Sequence, residues 1–136
     1  MNPRVEIACG LDVHRSKIVG SIVHSDGGKE TRTFTTGIDD AIALKNWILG
    51  NRCERVAMEA TGIYWYPIYD LLEDHVTLQV VNPYFIKVMP GRKTDQMDAE
   101  WIAELCLNGM VKSSYVPSPQ LRTRRDMIRT LDRLIR

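Results

Sequence analysis

Asp12, Glu59, Asp95 and Asp98 stand out as a set of hard oxygen donors in this chain. Asp12 closes the apolar run Val5-Glu6-Ile7-Ala8-Cys9-Gly10-Leu11, and Glu59 closes Val56-Ala57-Met58. Asp95 and Asp98 are three residues apart, so they share one face near the start of a helix if one begins at Thr94. Four acids in one place repel one another unless cations neutralise them. Mg²⁺ takes oxygen ligands, with Mn²⁺ as a substitute. Two such ions about 4 Å apart can activate a nucleophile and stabilise a leaving oxygen at a phosphodiester. If the fold brings the four acids together, the chemistry is phosphoryl transfer on nucleic acid.

Each acid also has an ordinary explanation. Asp12 fits a turn after a strand, and Asp95 and Asp98 fit a helix first turn favoured by the dipole. Glu59 is harder to explain in that way, because a charge at the end of an apolar strand is costly unless it is paired or binds metal. Asp26, Asp39, Asp40, Glu73, Asp74, Glu100 and Glu104 read as turn, cap or solvent-face acids.

The elements that must position the set follow from hydrophobic periodicity. Residues 5–12, 17–24 and 29–36 read as strands, the last two separated by the turn Ser25-Asp26-Gly27-Gly28. Asp39 and Asp40 open a helix with Ala41, Ile42, Leu44, Trp47, Ile48 and Leu49 at helical spacing, ended by Gly50. A strand over 54–59, a helix over 63–74 with Leu71 and Leu72 inward, and a strand over 76–81 come next. A short helical stretch over 82–89 and a loop over 90–93 lead to a helix from Thr94 to about Asn108, with Met97, Trp101, Ile102 and Leu105 on one face. Three antiparallel strands followed by βα units predict a mixed five-stranded sheet flanked by helices, the topology of an RNase H-like α/β fold. Asp12 and Glu59 then lie at the carboxyl ends of neighbouring strands, where such sheets carry ligand sites.

Residues 1–112 form this domain, 113–117 a linker, and 118–136 the start of an arginine-rich helix with Ser118 at N-cap and Pro119 at N1. Leu121, Ile128, Leu131 and Ile135 make a coiled-coil-like stripe still running at Arg136, which predicts that the parent chain continues.

Charge is uneven over the 136 residues. Residues 117–136 carry six arginines against two aspartates, net +4, while residues 1–116 carry 12 basic and 15 acidic groups, net −3. An arginine-rich end on an acidic body is compatible with nucleic-acid contact or with a solvated helix face. Arg15 and Lys17 follow Asp12, and Lys87, Arg92 and Lys93 precede Asp95, placed to contact phosphates or simply to solvate loops. Arg122, Arg124 and Arg125 join them as candidate nucleic-acid contacts. The aromatic run Tyr64-Trp65-Tyr66 suits core packing better than base stacking. Cys9, Cys53 and Cys106 have apolar surroundings and no CxxC spacing, so they read as buried thiols, and His14, His24 and His75 are not spaced as zinc ligands. No apolar run approaches the ~20 residues of a membrane span and the start carries no apolar signal segment, which predicts a soluble cytoplasmic protein.

Gly10-Leu11-Asp12-Val13-His14, Met58-Glu59-Ala60-Thr61-Gly62, Val81-Asn82-Pro83 and Lys93-Thr94-Asp95-Gln96-Met97-Asp98-Ala99, in this order, resemble the DEDD transposases of the IS110 insertion-sequence family. The resemblance covers residues 5–112. It implies a RuvC-like domain in which Asp12, Glu59, Asp95 and Asp98 are the DEDD catalytic metal ligands. It implies DNA strand cleavage and exchange guided by a structured bridge RNA, in a prokaryotic, nucleoid-associated dimer or tetramer assembled through the arginine-rich helices. It further implies a C-terminal domain with a nucleophilic serine, so none of Ser16, Ser21, Ser25, Ser113, Ser114 or Ser118 is expected to be that nucleophile. Two other readings share the fold: a stand-alone Holliday-junction resolvase-like nuclease, and a non-catalytic RNA- or DNA-binding dimerisation module. An actin-like phosphotransferase fits poorly, because Val13-His14-Arg15-Ser16 stands where phosphate-cradling glycines belong.

Overall fold

A computed structural model describes residues 4–59, 64–81 and 95–111, with the side chains of 95–98 outside the described set. The described residues form five strands and three helices: β1 (Ile7–Val13), β2 (Lys17–His24), β3 (Lys29–Thr35), α1 (Ile38–Gly50), β4 (Arg55–Glu59), α2 (Tyr66–Leu72), β5 (Thr77–Val81) and α3 (Asp95–Leu107). The short helix expected over 82–89, the linker and the arginine-rich helix lie outside the described residues.

The strands form one mixed sheet in the order β3-β2-β1-β4-β5. β2 is antiparallel to β1 and β3, while β4 runs parallel to β1 and to β5. The β2–β3 hairpin closes where the sequence places a turn. Asp26 Oδ1 accepts the Gly28 N–H at 2.9 Å, and Gly27 takes a φ of 100°, a conformation open to glycine.

Helices cover both faces. Alternate residues of β1 serve opposite sides, as the pleat requires. Cys9, Leu11 and Val13 join Leu44, Trp47 and Ile48 of α1 and Ile68 and Leu72 of α2 in one core. Ala8 joins Ala57, Val81, Ile102, Ala103 and Cys106 in the second, under α3. β1 is buried from Ala8 to Val13, as a strand with cover on both faces must be.

Element boundaries shift by one to three residues from the expected ones. β1 begins at Ile7 rather than Val5, because the Val5 N–H is taken by the Leu107 carbonyl of α3 at 3.0 Å. It ends at Val13, which leaves Asp12 one residue inside the strand. α2 is confined to Tyr66–Leu72, with Pro67 in its first turn, the helical position a residue without an N–H tolerates best. Its inward residues are Ile68 and Leu72, with Leu71 half-buried. Ile102 and Leu105 are buried as expected, with Ala99, Ala103 and Cys106, while Trp101 is half-buried and the Met97 side chain lies outside the described residues.

Small residues let α3 lie directly on the sheet. A Cβ on Gly10 would come within 2.2 Å of the Ala99 carbonyl oxygen and 2.4 Å of the Ala103 nitrogen, both backbone atoms that cannot swing aside. Polar contacts fix the rest of the helix. Arg55, buried at the start of β4, donates from Nη1 to the Cys106 carbonyl at 3.2 Å. α3 has no basic residue in its own last turn, so β4 supplies the cation that its carbonyl end favours. Lys29 at the start of β3 reaches Glu100 at 2.6 Å and Glu104 at 2.9 Å. These carboxylates raise the Lys29 ammonium above its ordinary range.

Gly10→Ala therefore forces α3 away from β1. Overpacking of this kind costs about 1–3 kcal/mol, and more where only backbone can move. Urea denaturation of Gly10→Ala beside wild type is expected to show a loss of at least that size. An unchanged midpoint would show that α3 is not seated on Gly10.

Candidate active site at the carboxyl ends of the central strands

Asp12 and Glu59 lie near the carboxyl ends of neighbouring parallel strands. The β1–β4 register pairs Gly10 with Ala57 and Leu11 with Met58, and one further step sets Asp12 beside Glu59. Adjacent strands lie about 4.8 Å apart and side chains alternate along each strand, so the two acids belong to the same face of the sheet. That side is the α3 side, because Gly10, two residues before Asp12, lies against α3, and Ala57, two before Glu59, packs in its core.

The first turn of α3 comes to the same end. Leu107 sits by Val5 and Ala99 by Gly10, so α3 runs antiparallel to β1. Four helical residues rise about 6 Å and two strand residues about 6.6 Å, which brings the backbone of Asp95 level with Asp12. The Asp95 and Asp98 side chains lie outside the described residues. Among the described residues, no three His, Cys, Asp or Glu side chains group as metal ligands.

Asp12 is buried at 3% exposure, and His14 Nε2 lies 2.9 Å from its Oδ2. Sequence reasoning missed His14 by asking only whether the histidines were spaced to ligate zinc. The available signal was its position two residues after Asp12, which places both on one side of an extended strand. The His14 backbone N–H bonds the Lys17 carbonyl at 2.9 Å and closes the β1–β2 hairpin. Arg15 and Lys17 are exposed on this hairpin, next to Asp12. Lys87, Arg92, Lys93, Arg122, Arg124 and Arg125 lie outside the described residues.

Other candidates find structural roles. Trp65 is buried, stacked on Tyr66 with centroids 4.1 Å apart and edge-on to Tyr69 at 5.8 Å, so this aromatic run packs the core while Tyr64 alone is exposed. Asp40 accepts the Thr35 N–H at 2.7 Å, which lowers its carboxyl pKa and ties α1 to β3. Glu100 and Glu104 hold Lys29. Burial pushes the Cys9 thiol well above its usual range, and pushes Cys53 and Cys106 up to about 12. Protonated thiols at neutral pH are poor nucleophiles and poor metal ligands.

A transposase family, the DEDD type of IS110 elements, matches residues 9–136. The chain belongs to this family. Among solved structures, this transposase domain is similar to Thermus thermophilus RuvC, alone (13% identity, TM-score 0.56, 79% of this chain and 99% of that one). It is similar also to T. thermophilus RuvC in complex with Holliday junction substrate (13%, 0.55, 81% and 100%). The fowlpox virus Holliday junction resolvase is a further match (12%, 0.50, 73% and 94%). At these identities the likeness is one of fold, and it makes the mixed sheet of this transposase domain RuvC-like, of RNase H type. No curated protein sequence matches the chain. No helix of the described residues is long and apolar enough to cross a membrane.

A disulfide reagent at pH 8 is expected to label none of Cys9, Cys53 and Cys106 in the folded domain, and all three in denaturant. Rapid labelling of the native chain would mean that an interior thiol reaches solvent.

Proposed function

We propose that this domain supplies the carboxylate half of the active site of an insertion-sequence DNA transposase. Asp12, Glu59, Asp95 and Asp98 hold Mg²⁺, with Mn²⁺ as a substitute. The observation that carries the reading is the register that continues to Asp12 beside Glu59 on the side where α3 begins. The donor set fits the ion: the four candidates are carboxylates, the hard oxygens that Mg²⁺ prefers. When bound, the ion polarises the phosphoryl oxygens and stabilises the leaving oxygen of a cleaved phosphodiester.

The chain's own residues orient and position. Asp12 is held in a buried setting that keeps its carboxylate from being freely solvated. Arg15 and Lys17, exposed on the adjacent hairpin, contact backbone phosphates and set the DNA over the carboxylates. The attacking hydroxyl comes from a serine outside residues 1–136. It forms a bond to phosphorus as the bond to the departing sugar oxygen breaks. A structured guide RNA selects the DNA, and residues 118–136 continue as an arginine-rich helix through which copies assemble, joined to the 1–112 domain by the 113–117 linker. The family match over 9–136 favours this reading over a stand-alone resolvase.

Titrating Mg²⁺ or Mn²⁺ while following the melting temperature tests the metal site. Metal at 100 times its Kd is expected to stabilise wild type by about 2.7 kcal/mol, and to leave the Glu59→Ala, Asp98→Ala double variant unmoved. Equal shifts in both proteins would remove the carboxylates from metal binding. For the DNA interface, the slope of log affinity against log salt is the measure. The Arg15→Ala, Lys17→Ala double variant is expected to lower its magnitude by about 2, one for each phosphate no longer neutralised. An unchanged slope would take the β1–β2 hairpin out of the DNA interface.

A further inference from the structure

We propose that His14 is a positioning residue for the Asp12 carboxylate, holding Oδ2 through its Nε2–H so that the group meets a divalent cation in one fixed orientation. The inference rests on the metal-site reading above and goes beyond it, because His14 is not one of the four acids.

The geometry assigns the ring this partner. Nε2 and Oδ2 are 2.9 Å apart, an ordinary hydrogen-bond length. A carboxylate oxygen accepts, so this bond uses a proton carried on Nε2. The two side chains differ in setting: that of Asp12 is 5% exposed, that of His14 37%. The bond therefore runs from the rim of the sheet inward to a buried acid. It is not needed to form the turn, since the His14 backbone N–H closes the hairpin on the Lys17 carbonyl without the ring. That same backbone bond fixes where the ring begins, so the donor is held by the fold.

One N–H does not exhaust a carboxylate. Its two oxygens offer about four acceptor sites, so a cation still finds room once Oδ2 has taken the imidazole. A carboxylate free to rotate must lose that freedom when it ligates, whereas one already held does not. Outer partners of this kind change metal affinity by about 10–100-fold. An acid buried beside Glu59 also needs a donor when no cation is present, and His14 supplies one.

Mn²⁺ binding to the full chain, read by water-proton relaxation, separates this role from the site itself. Wild type, Asp12→Asn, His14→Ala and His14→Gln are compared, each first checked for a native circular-dichroism spectrum. The glutamine variant keeps an N–H donor of similar reach. The expected pattern is binding by wild type, loss in Asp12→Asn, a Kd about 10–100-fold weaker in His14→Ala, and recovery in His14→Gln to within about threefold of wild type. Binding in His14→Ala equal to wild type, with Asp12→Asn still inactive in binding, would overturn the positioning role and leave the metal site standing. A glutamine variant as weak as the alanine variant would also overturn it, since a donor alone would not suffice. Absence of Mn²⁺ binding in wild type would overturn the metal site and the role of His14 together.

Discussion

The seating of α3 on Gly10 is the constraint on which the rest of this domain depends. With backbone atoms of Ala99 and Ala103 where a Cβ would stand, the helix can lie along β1 with no side chain between them. Its direction is then fixed at the far end by the Leu107 carbonyl on Val5 and by Arg55 on the Cys106 carbonyl. Only an antiparallel course satisfies these contacts together. The beginning of α3 must therefore arrive at the carboxyl ends of β1 and β4, where Asp12 and Glu59 follow the last paired residues, Leu11 and Met58.

Two cations that hold α3 sit away from the carboxyl ends of β1 and β4. Arg55 is buried near the carbonyl end of α3, and Lys29 bridges to the outer side of the same helix. Neither neutralises the carboxylate end. Asp12 instead has the imidazole of His14 as a neighbour, and Arg15 and Lys17 follow on the exposed hairpin. The fold thus keeps these two structural cations away from the carboxylates.

Much of the layout was legible beforehand because β-structure repeats with period two and turns carry their own chemistry. Ser25-Asp26-Gly27-Gly28 marked the hairpin correctly, since the side-chain bond and the positive φ need those residue types. The order of strands and helices led to the mixed sheet that the structure has. The errors were at edges where a tertiary contact overrides local pattern. Val5 looks like strand but gives its N–H to α3. Arg55 has no signal of its role within the strand expected over 54–59, because nothing local announces a helix carbonyl end that lies 51 residues away along the chain.

The amino-acid sequence alone settled the types of the described elements, the position of Glu59 at a strand end and that of Asp12 within one residue of one, since each depends on neighbours within a few residues. The tertiary structure decided which strand lies beside which, the register that continues to Asp12 beside Glu59, the course of α3 over Gly10, and the choice of Asp12 as the partner of His14. The physical reason is the range of the forces involved. Backbone propensity and periodicity act along the chain. Register, close packing and a hydrogen bond to a buried carboxylate exist only once distant segments have been brought within a few ångströms of one another.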